Sequence, residues 1–293
     1  MRLTPLTANT FRSDGGAMFG LVPKALWAKR CPAHEDNTID QRANVILVES
    51  DDGKKGLIDT GCGDPAWYGD RERALHGLKD DWHLPRALAA HGLNFGDIDW
   101  IVLSHAHWDH AGALTDPDGA PVFPNATVHL RETEHQSVLG GDPLLYKSYP
   151  PKVVQSFQNL ADRIFAVKDG GSDDLSGPSP GVTLLPAPGH TEGQACVLIE
   201  FPELAGADIV PSRALFTGDN CPTQHHLRMV FQTAYDTYPL KTRAWKRKWL
   251  PKCAEEGILL LFTHDPDIFG ARVQADPKHE FIVSETYAGG LPT

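Results

Sequence analysis

The sequence has no paired cysteines, no basic excess and no long apolar run, and each absence removes a class of protein. Its five cysteines (Cys31, Cys62, Cys196, Cys221 and Cys253) are scattered, odd in number and never spaced Cys-x-x-Cys. That argues against a disulfide framework, a zinc ribbon or a thioredoxin-type pair, and fits a reducing cytoplasm. Lysine and arginine total 27 against 38 aspartates and glutamates, a net charge of −11. Nucleic acid is therefore not an expected partner. The one basic cluster, Lys241 to Lys248, carries Trp245 and Trp249 and reads as an amphipathic surface helix. The longest apolar stretches, such as Ile258 to Phe262, are too short to span a bilayer, and the N-terminus lacks the apolar core of a signal peptide. A cytoplasmic location without membrane association is the resulting expectation.

What is present is an ordinary globular composition over 293 residues, 41% hydrophobic and 22% charged, enough to bury one large core. Short apolar runs recur and predict strands. Asn44 to Val48 turns through Asp51-Asp52-Gly53 into Gly56 to Asp59 as a hairpin. Further strands are expected at Ile98 to Leu103, Ala126 to Leu130, Val182 to Leu185, Ala195 to Phe201, Ala214 to Thr217 and Ile258 to Phe262. Helices are expected at Leu84 to His91 (closed by Gly92), Glu132 to Leu139, Val153 to Arg163 and Leu240 to Glu256. Gly170 to Gly181 reads as an internal loop. Strands that bunch between helices predict a layered α/β (α+β) arrangement.

Polar residues gather just after these strands. His105, His107, Asp109 and His110 follow the strand ending at Leu103; His190, Asp219 and His264 each follow a later one. A rigid sheet can aim residues so placed at one point. In His-x-His both imidazoles can address one cation, while Asp109 and His110, displaced by a turn, can address a second. Imidazole and carboxylate donors suit zinc first, with manganese, iron or cobalt as alternatives. Two ions about 3.5–4 Å apart would hold a hydroxide between them and polarise a carbonyl or phosphoryl oxygen, with Asp219 as a bridging carboxylate.

The run from His105 to His110 resembles the His-x-His-x-Asp-His signature of the metallo-β-lactamase superfamily. Ile58-Asp59-Thr60-Gly61, Pro188-Gly189-His190-Thr191 and Thr217-Gly218-Asp219 resemble three further elements of it. The resemblance implies a four-layer αββα sandwich over residues 1–293 with the metals at one edge. It implies that His105, His107 and His190 hold one metal, that Asp109, His110 and His264 hold the other, and that Asp219 holds both. Asp59 would support the ligands from behind. Zinc β-lactamases carry a non-bridging residue in place of Asp219, and RNA-processing members carry basic segments absent here. Flavodiiron proteins need a flavin domain for which there is no room. A glyoxalase II-like thioesterase remains, without an evident glutathione-binding run.

A narrower resemblance, to the quorum-quenching N-acyl-homoserine lactonase group, rests on Asp14 to Lys24 with Trp27, on Pro222-Thr223 with His225 and His226, and on Ala234 to Pro239. It implies a lactonase acting on a small molecule, with a phosphotriesterase of the methyl parathion hydrolase type as the alternative. Pro222 stands where those lactonases place a tyrosine, so Tyr235, His225 or His226 is expected to take over its hydrogen-bonding role. Asp109 is expected to carry the proton to the leaving alkoxide. Met18, Phe19, Val22 and Trp27, within a flap at about 14–30, read equally as ordinary core or as an apolar wall over the metals. The same flap is suited to exchange at a homodimer interface. A non-catalytic metal-binding protein is the reading from a different class.

Overall fold

The computed structural model describes residues 1–79, 81–141, 149–169, 174–200, 203–204 and 213–288, and its strands fall into two mixed sheets. The first part of the chain forms β1 (Arg2–Asp14), α1 (Gly15–Phe19), α2 (Lys24–Trp27), β2 (Thr38–Glu49), β3 (Lys55–Ile58), α3 (Asp70–Leu75) and α4 (His83–Ala89). There follow β4 (Trp100–Val102), α5 (Trp108–Ala111), β5 (Thr127–Arg131), α6 (Glu132–Leu139), α7 (Pro151–Asn159) and β6 (Ile164–Val167). The rest adds β7 (Leu175–Ser176), β8 (Val182–Pro186), β9 (Ala195–Glu200), β10 (Glu203–Leu204), β11 (Arg213–Phe216), α8 (Pro239–Glu256), β12 (Leu259–Leu261), β13 (Gly270–Asp276) and β14 (Glu280–Tyr287). One sheet runs β10-β1-β2-β3-β4-β5-β6 and the other β14-β13-β12-β11-β9-β8-β7.

The two-residue period of a strand divides each sheet between two cores. On β2, Ile46 and Val48 face the other sheet, where they meet Val197, Phe216 and Leu261. Val45 and Leu47, one residue out of phase, pack with Leu84 and Leu88 of α4 and Phe157 of α7. On β12, Leu259 and Leu261 point inward while Leu260 packs outward with Trp245, Trp249 and Leu250 of α8. Three apolar seams therefore separate four layers, the αββα order that the resemblance implied. Among the described residues no helix is long and apolar enough to cross a membrane.

β1 was not expected, because Pro5 and the polar residues Thr4, Thr7 and Asn9 spoil the apolar alternation. All four are nevertheless buried. β1 pairs with β2 along its whole length, with one irregularity between Thr7 and Asn9. Among the described residues β10 pairs with β1 at Arg2 and Leu3, so no described ladder partner on that flank needs the amide that Pro5 lacks. The β13–β14 hairpin was also unforeseen. The Ala195 strand ends at Glu200, Phe201 lying outside the described residues. Of the loop expected over Gly170 to Gly181, residues 170–173 lie outside them too, and the remainder contains β7.

Gly61, just after β3, has φ +77°, and a Cβ placed there would lie 2.4 Å from the Ala8 Cβ on β1. Gly53 has φ +83° but open space around it. Gly61→Ala should cost about 2–4 kcal/mol, combining left-handed strain with overpacking. Gly53→Ala should cost only about 1–2 kcal/mol, the strain alone. Urea unfolding of the two variants checks the difference; equal losses would show that the approach to Ala8 is unimportant.

Candidate metal centre

Four strand ends, drawn from both sheets, converge on one point. β4 leads through Ser104 to His105 and His107, and α5 then turns Asp109 and His110 into the same space. β8 leads to His190, β11 to Asp219 in a short 3-10 turn, and β12 to His264. β3–β4 and β11–β12 are parallel pairs. The site therefore lies where their carboxyl ends open together, the usual place for a ligand in such sheets.

The ligating atoms of His105, His107 and His190 lie within 4.8 Å of one another, as do those of His105, His110 and Asp219 and those of Asp109, His110 and His264. His107 Nδ1 is 2.9 Å from His190 Nε2, and His110 Nε2 is 3.2 Å from His264 Nε2. Asp219 sits between the two groups. Its Oδ1 is 3.5 Å from His110 Nε2 and 3.2 Å from His264 Nε2, and its Oδ2 is 3.4 Å from His190 Nε2.

The imidazoles of His110, His190 and His264 are each aimed by what holds the other nitrogen. Asp59 Oδ2 is 2.7 Å from His110 Nδ1, and the same carboxylate accepts hydrogen bonds from the Ser104 amide and hydroxyl. Asp59 achieves this from a left-handed backbone, φ +60°, which aspartate tolerates better than most residues. The Arg42 carbonyl accepts from His264 Nδ1 at 2.8 Å, and Asp236 Oδ1 is 3.0 Å from His190 Nδ1. Asp236 was missed in the sequence although its neighbour Tyr235 was singled out; nothing in the spacing tells a ligand-orienting carboxylate from a surface one.

Burial, reinforced by neighbouring imidazoles, pushes His105 and His107 well below the ordinary histidine range. Burial also works against charge on His110, His190 and His264, but carboxylates led by Asp219 outweigh it and raise all three. For Asp219, burial favours the neutral acid, yet His264, His110 and His190 hold it well below the usual carboxylate range. The donor set fits a pair of divalent cations. His105 Nε2 is buried without a hydrogen-bond partner among the described residues, and imidazole nitrogens face one another around a buried carboxylate.

The sequence pattern of the metallo-beta-lactamase superfamily matches residues 39–252. This chain belongs to the metallo-β-lactamase superfamily. His264 lies beyond the matched stretch, and the fold brings it beside His110 and Asp219. Over 172 residues, 54% of this chain, it is 30% identical to a probable metallo-hydrolase of Mycobacterium tuberculosis, covering 52% of that protein. An N-acyl homoserine lactonase of Bacillus thuringiensis is 24% identical over 182 residues, 59% of this chain and 64% of the lactonase. The chain thus spans about half the length of the first of these curated relatives. Among solved structures, a probable metal-dependent hydrolase from Staphylococcus aureus superposes with a TM-score of 0.86. It is 26% identical, over 99% of this chain and 98% of its own.

The flap of this metallo-β-lactamase-fold chain packs as a core of its own. Met18, Phe19, Val22 and Trp27 are buried with Ile39 and Phe231, and Phe19 stacks on Trp27 at 5.1 Å. The four side chains are therefore buried against one another. His226 is not at a pocket surface either. Fully buried, it stacks on Phe19 at 5.1 Å, and both ring nitrogens are engaged, Nδ1 with the Thr223 hydroxyl and Nε2 with the Met18 carbonyl. That corrects the expectation that it offers a group to a substrate. His225 lies 6.4 Å from Phe19, with Asp265, Asp267 and Arg30 as its charged neighbours. Tyr235 is half exposed, and burial, with the carboxylates of Asp109 and Asp14 adding to it, pushes its phenol upward.

His226 makes the flap acid-sensitive. Burial first and Lys246 second depress its pKa to about 3, against the raising effects of the Met18 carbonyl and Asp236. The fold holds the ring neutral, so its contribution to stability is complete above the unfolded pKa, about 6.5, and is lost as pH falls toward 3. Protection factors of the amides from Met18 to Trp27, corrected for the intrinsic pH dependence of exchange, should therefore fall between about pH 6.5 and 4. The same amides in His226→Gln should show a flatter profile; identical profiles would rule His226 out as the cause.

Proposed function

We propose that this chain is a binuclear metal-dependent hydrolase that opens lactones, of the N-acyl-homoserine class or closely related esters. The observation that carries the reading is Asp219, one buried carboxylate whose oxygens face both histidine groups. His105, His107 and His190 would hold one cation, Asp109, His110 and His264 the other, and Asp219 both. Zinc suits these donors best. When bound, such cations supply Lewis acidity toward a carbonyl oxygen and lower the pKa of water.

The remaining chemistry falls to side chains. Hydrolysis needs a group that takes a proton from water and passes it to the alkoxide as the ring C–O bond breaks, leaving an alcohol and a carboxylic acid that then releases its own proton to solvent. Asp109 suits that role. Its side chain is 14% exposed, against 8% for Asp219 and 2% for His110, His190 and His264. Tyr235, half exposed and with its phenol held toward the protonated form, would donate a hydrogen bond to the substrate. The similarity to the Bacillus thuringiensis lactonase supports a lactone over other esters.

A panel of homoserine lactones, simple esters and paraoxon, run on zinc-, manganese- and iron-loaded protein, tests the reading. Lactones should lead in kcat/KM, and Asp109→Asn should lower lactone kcat by about 10²–10⁴-fold in metal-replete protein. Paraoxon leading the panel would move the assignment to a phosphotriesterase. Full activity in the metal-replete variant would remove Asp109 from the proton path.

A further inference from the structure

The strongest unassigned feature lies beside the donors. α6 starts where β5 ends, and its third residue, Glu134, is fully buried. A carboxylate so placed is costly unless its oxygens are satisfied. Glu134 Oε1 accepts from the Ala106 amide and the Tyr149 hydroxyl, both at 2.9 Å, and Oε2 accepts from the Thr191 hydroxyl at 2.6 Å.

The identity of those donors gives the contacts their meaning. Ala106 is the residue between His105 and His107, and Thr191 follows His190. A single carboxylate therefore ties together the two loops that present all three histidines of one triad. Tyr149, the third donor, lies with its ring 5.7 Å from His107. The closeness is built into the backbone as well, since a Cβ on Gly193 would fall 2.1 Å from the Glu134 amide nitrogen. The other triad is held differently: Asp59 orients His110, and the Arg42 carbonyl orients His264. None of the Glu134 hydrogen bonds named above reaches Asp109, His110 or His264.

We propose that Glu134 is a positioning residue that assembles the His105–His107–His190 site selectively, leaving the Asp109–His110–His264 site independent of it. The inference rests on the two-cation reading of the centre. Losing Glu134 need not release the whole loop, because Arg131 donates to the carbonyls of Glu192 at 3.2 Å and Gln194 at 3.1 Å. Glutamine is the informative conservative replacement. Its carbonyl can still accept from Ala106 and Tyr149, and its amide can donate to a rotated Thr191 hydroxyl.

The test counts cobalt(II) retained after dialysis and measures its affinity by chelator competition, with the cobalt absorption spectrum as a second signal. Wild type and Glu134→Gln should keep two ions. Glu134→Ala should keep one, the other weakened by about tenfold or more. Adding His264→Ala to Glu134→Ala should remove the remaining ion, whereas adding His190→Ala should leave that ion bound. If Glu134→Ala fails to fold, Thr191→Val cuts the tether to His190 alone and should weaken the same single ion. Two ions at wild-type affinity in Glu134→Ala (or in Thr191→Val, where that variant has to serve) would overturn the proposal, as would loss of the retained ion on adding His190→Ala. Wild type that binds only one ion would instead overturn the two-cation reading itself, and this inference with it.

Discussion

A carboxylate buried among imidazoles survives only if its charge is shared, and the rest of this centre is arranged around Asp219. Asp219 alone would be pushed toward its neutral form by burial; His264, His110 and His190 reverse that and keep it ionised. In return its charge raises all three histidines. The balance requires the imidazoles to keep their Nε2 atoms turned inward, and that is secured from outside. Asp59, Asp236 and the Arg42 carbonyl each hold an Nδ1. The strained backbone of Asp59 and the close passage of Gly61 past Ala8 follow from the same demand. They bring β3 near enough to reach His110.

The donors were legible because chemistry and scaffold coincide in the sequence. Each follows an apolar run that can only be a strand, and histidine after a buried strand is an uncommon pattern. The residues that orient them were less legible, for a physical reason. Asp59 sat in a familiar local pattern, but Asp236 reaches His190 across 46 positions and Glu134 reaches Ala106 across 28. Nothing local distinguishes them from surface acids. β1 was hidden for the opposite reason: its sequence looks unlike a strand, and only pairing with β2 makes it one. The flap was read both as wall and as core. Phe19 and Trp27 turned out to stack on one another, a choice set by where Phe231 and His226 happen to lie.

One short stretch connects flap and centre. The Phe231 carbonyl accepts from the buried ammonium of Lys246 on α8. The Ala234 amide then donates to Ala17 in the flap at 2.7 Å. The amides of Thr237 and Tyr238 donate to His190 at 3.0 Å and Gly189 at 2.8 Å, while Asp236 holds the His190 ring. A segment of eight residues therefore fixes the flap at one end and a metal donor at the other. Displacing either end strains bonds at both, so the flap and the His190 loop are expected to respond to a ligand together.

That linkage bears on selectivity. Two cations polarise a carbonyl and a phosphoryl oxygen alike, so the metal donors cannot choose between a lactone and a phosphotriester. Choice must come from groups that touch the rest of the substrate. With Met18, Phe19, Val22 and Trp27 buried in the flap's own core and His226 engaged on both nitrogens, half-exposed Tyr235 and partly buried His225 are the proposed pocket residues left to meet a substrate. A phenol held protonated can donate one directed hydrogen bond, which suits a planar ester or amide carbonyl. A crowded tetrahedral phosphorus needs open volume instead. On the proposed function, the burial of the flap residues thus leaves substrate choice to side chains such as Tyr235 and His225.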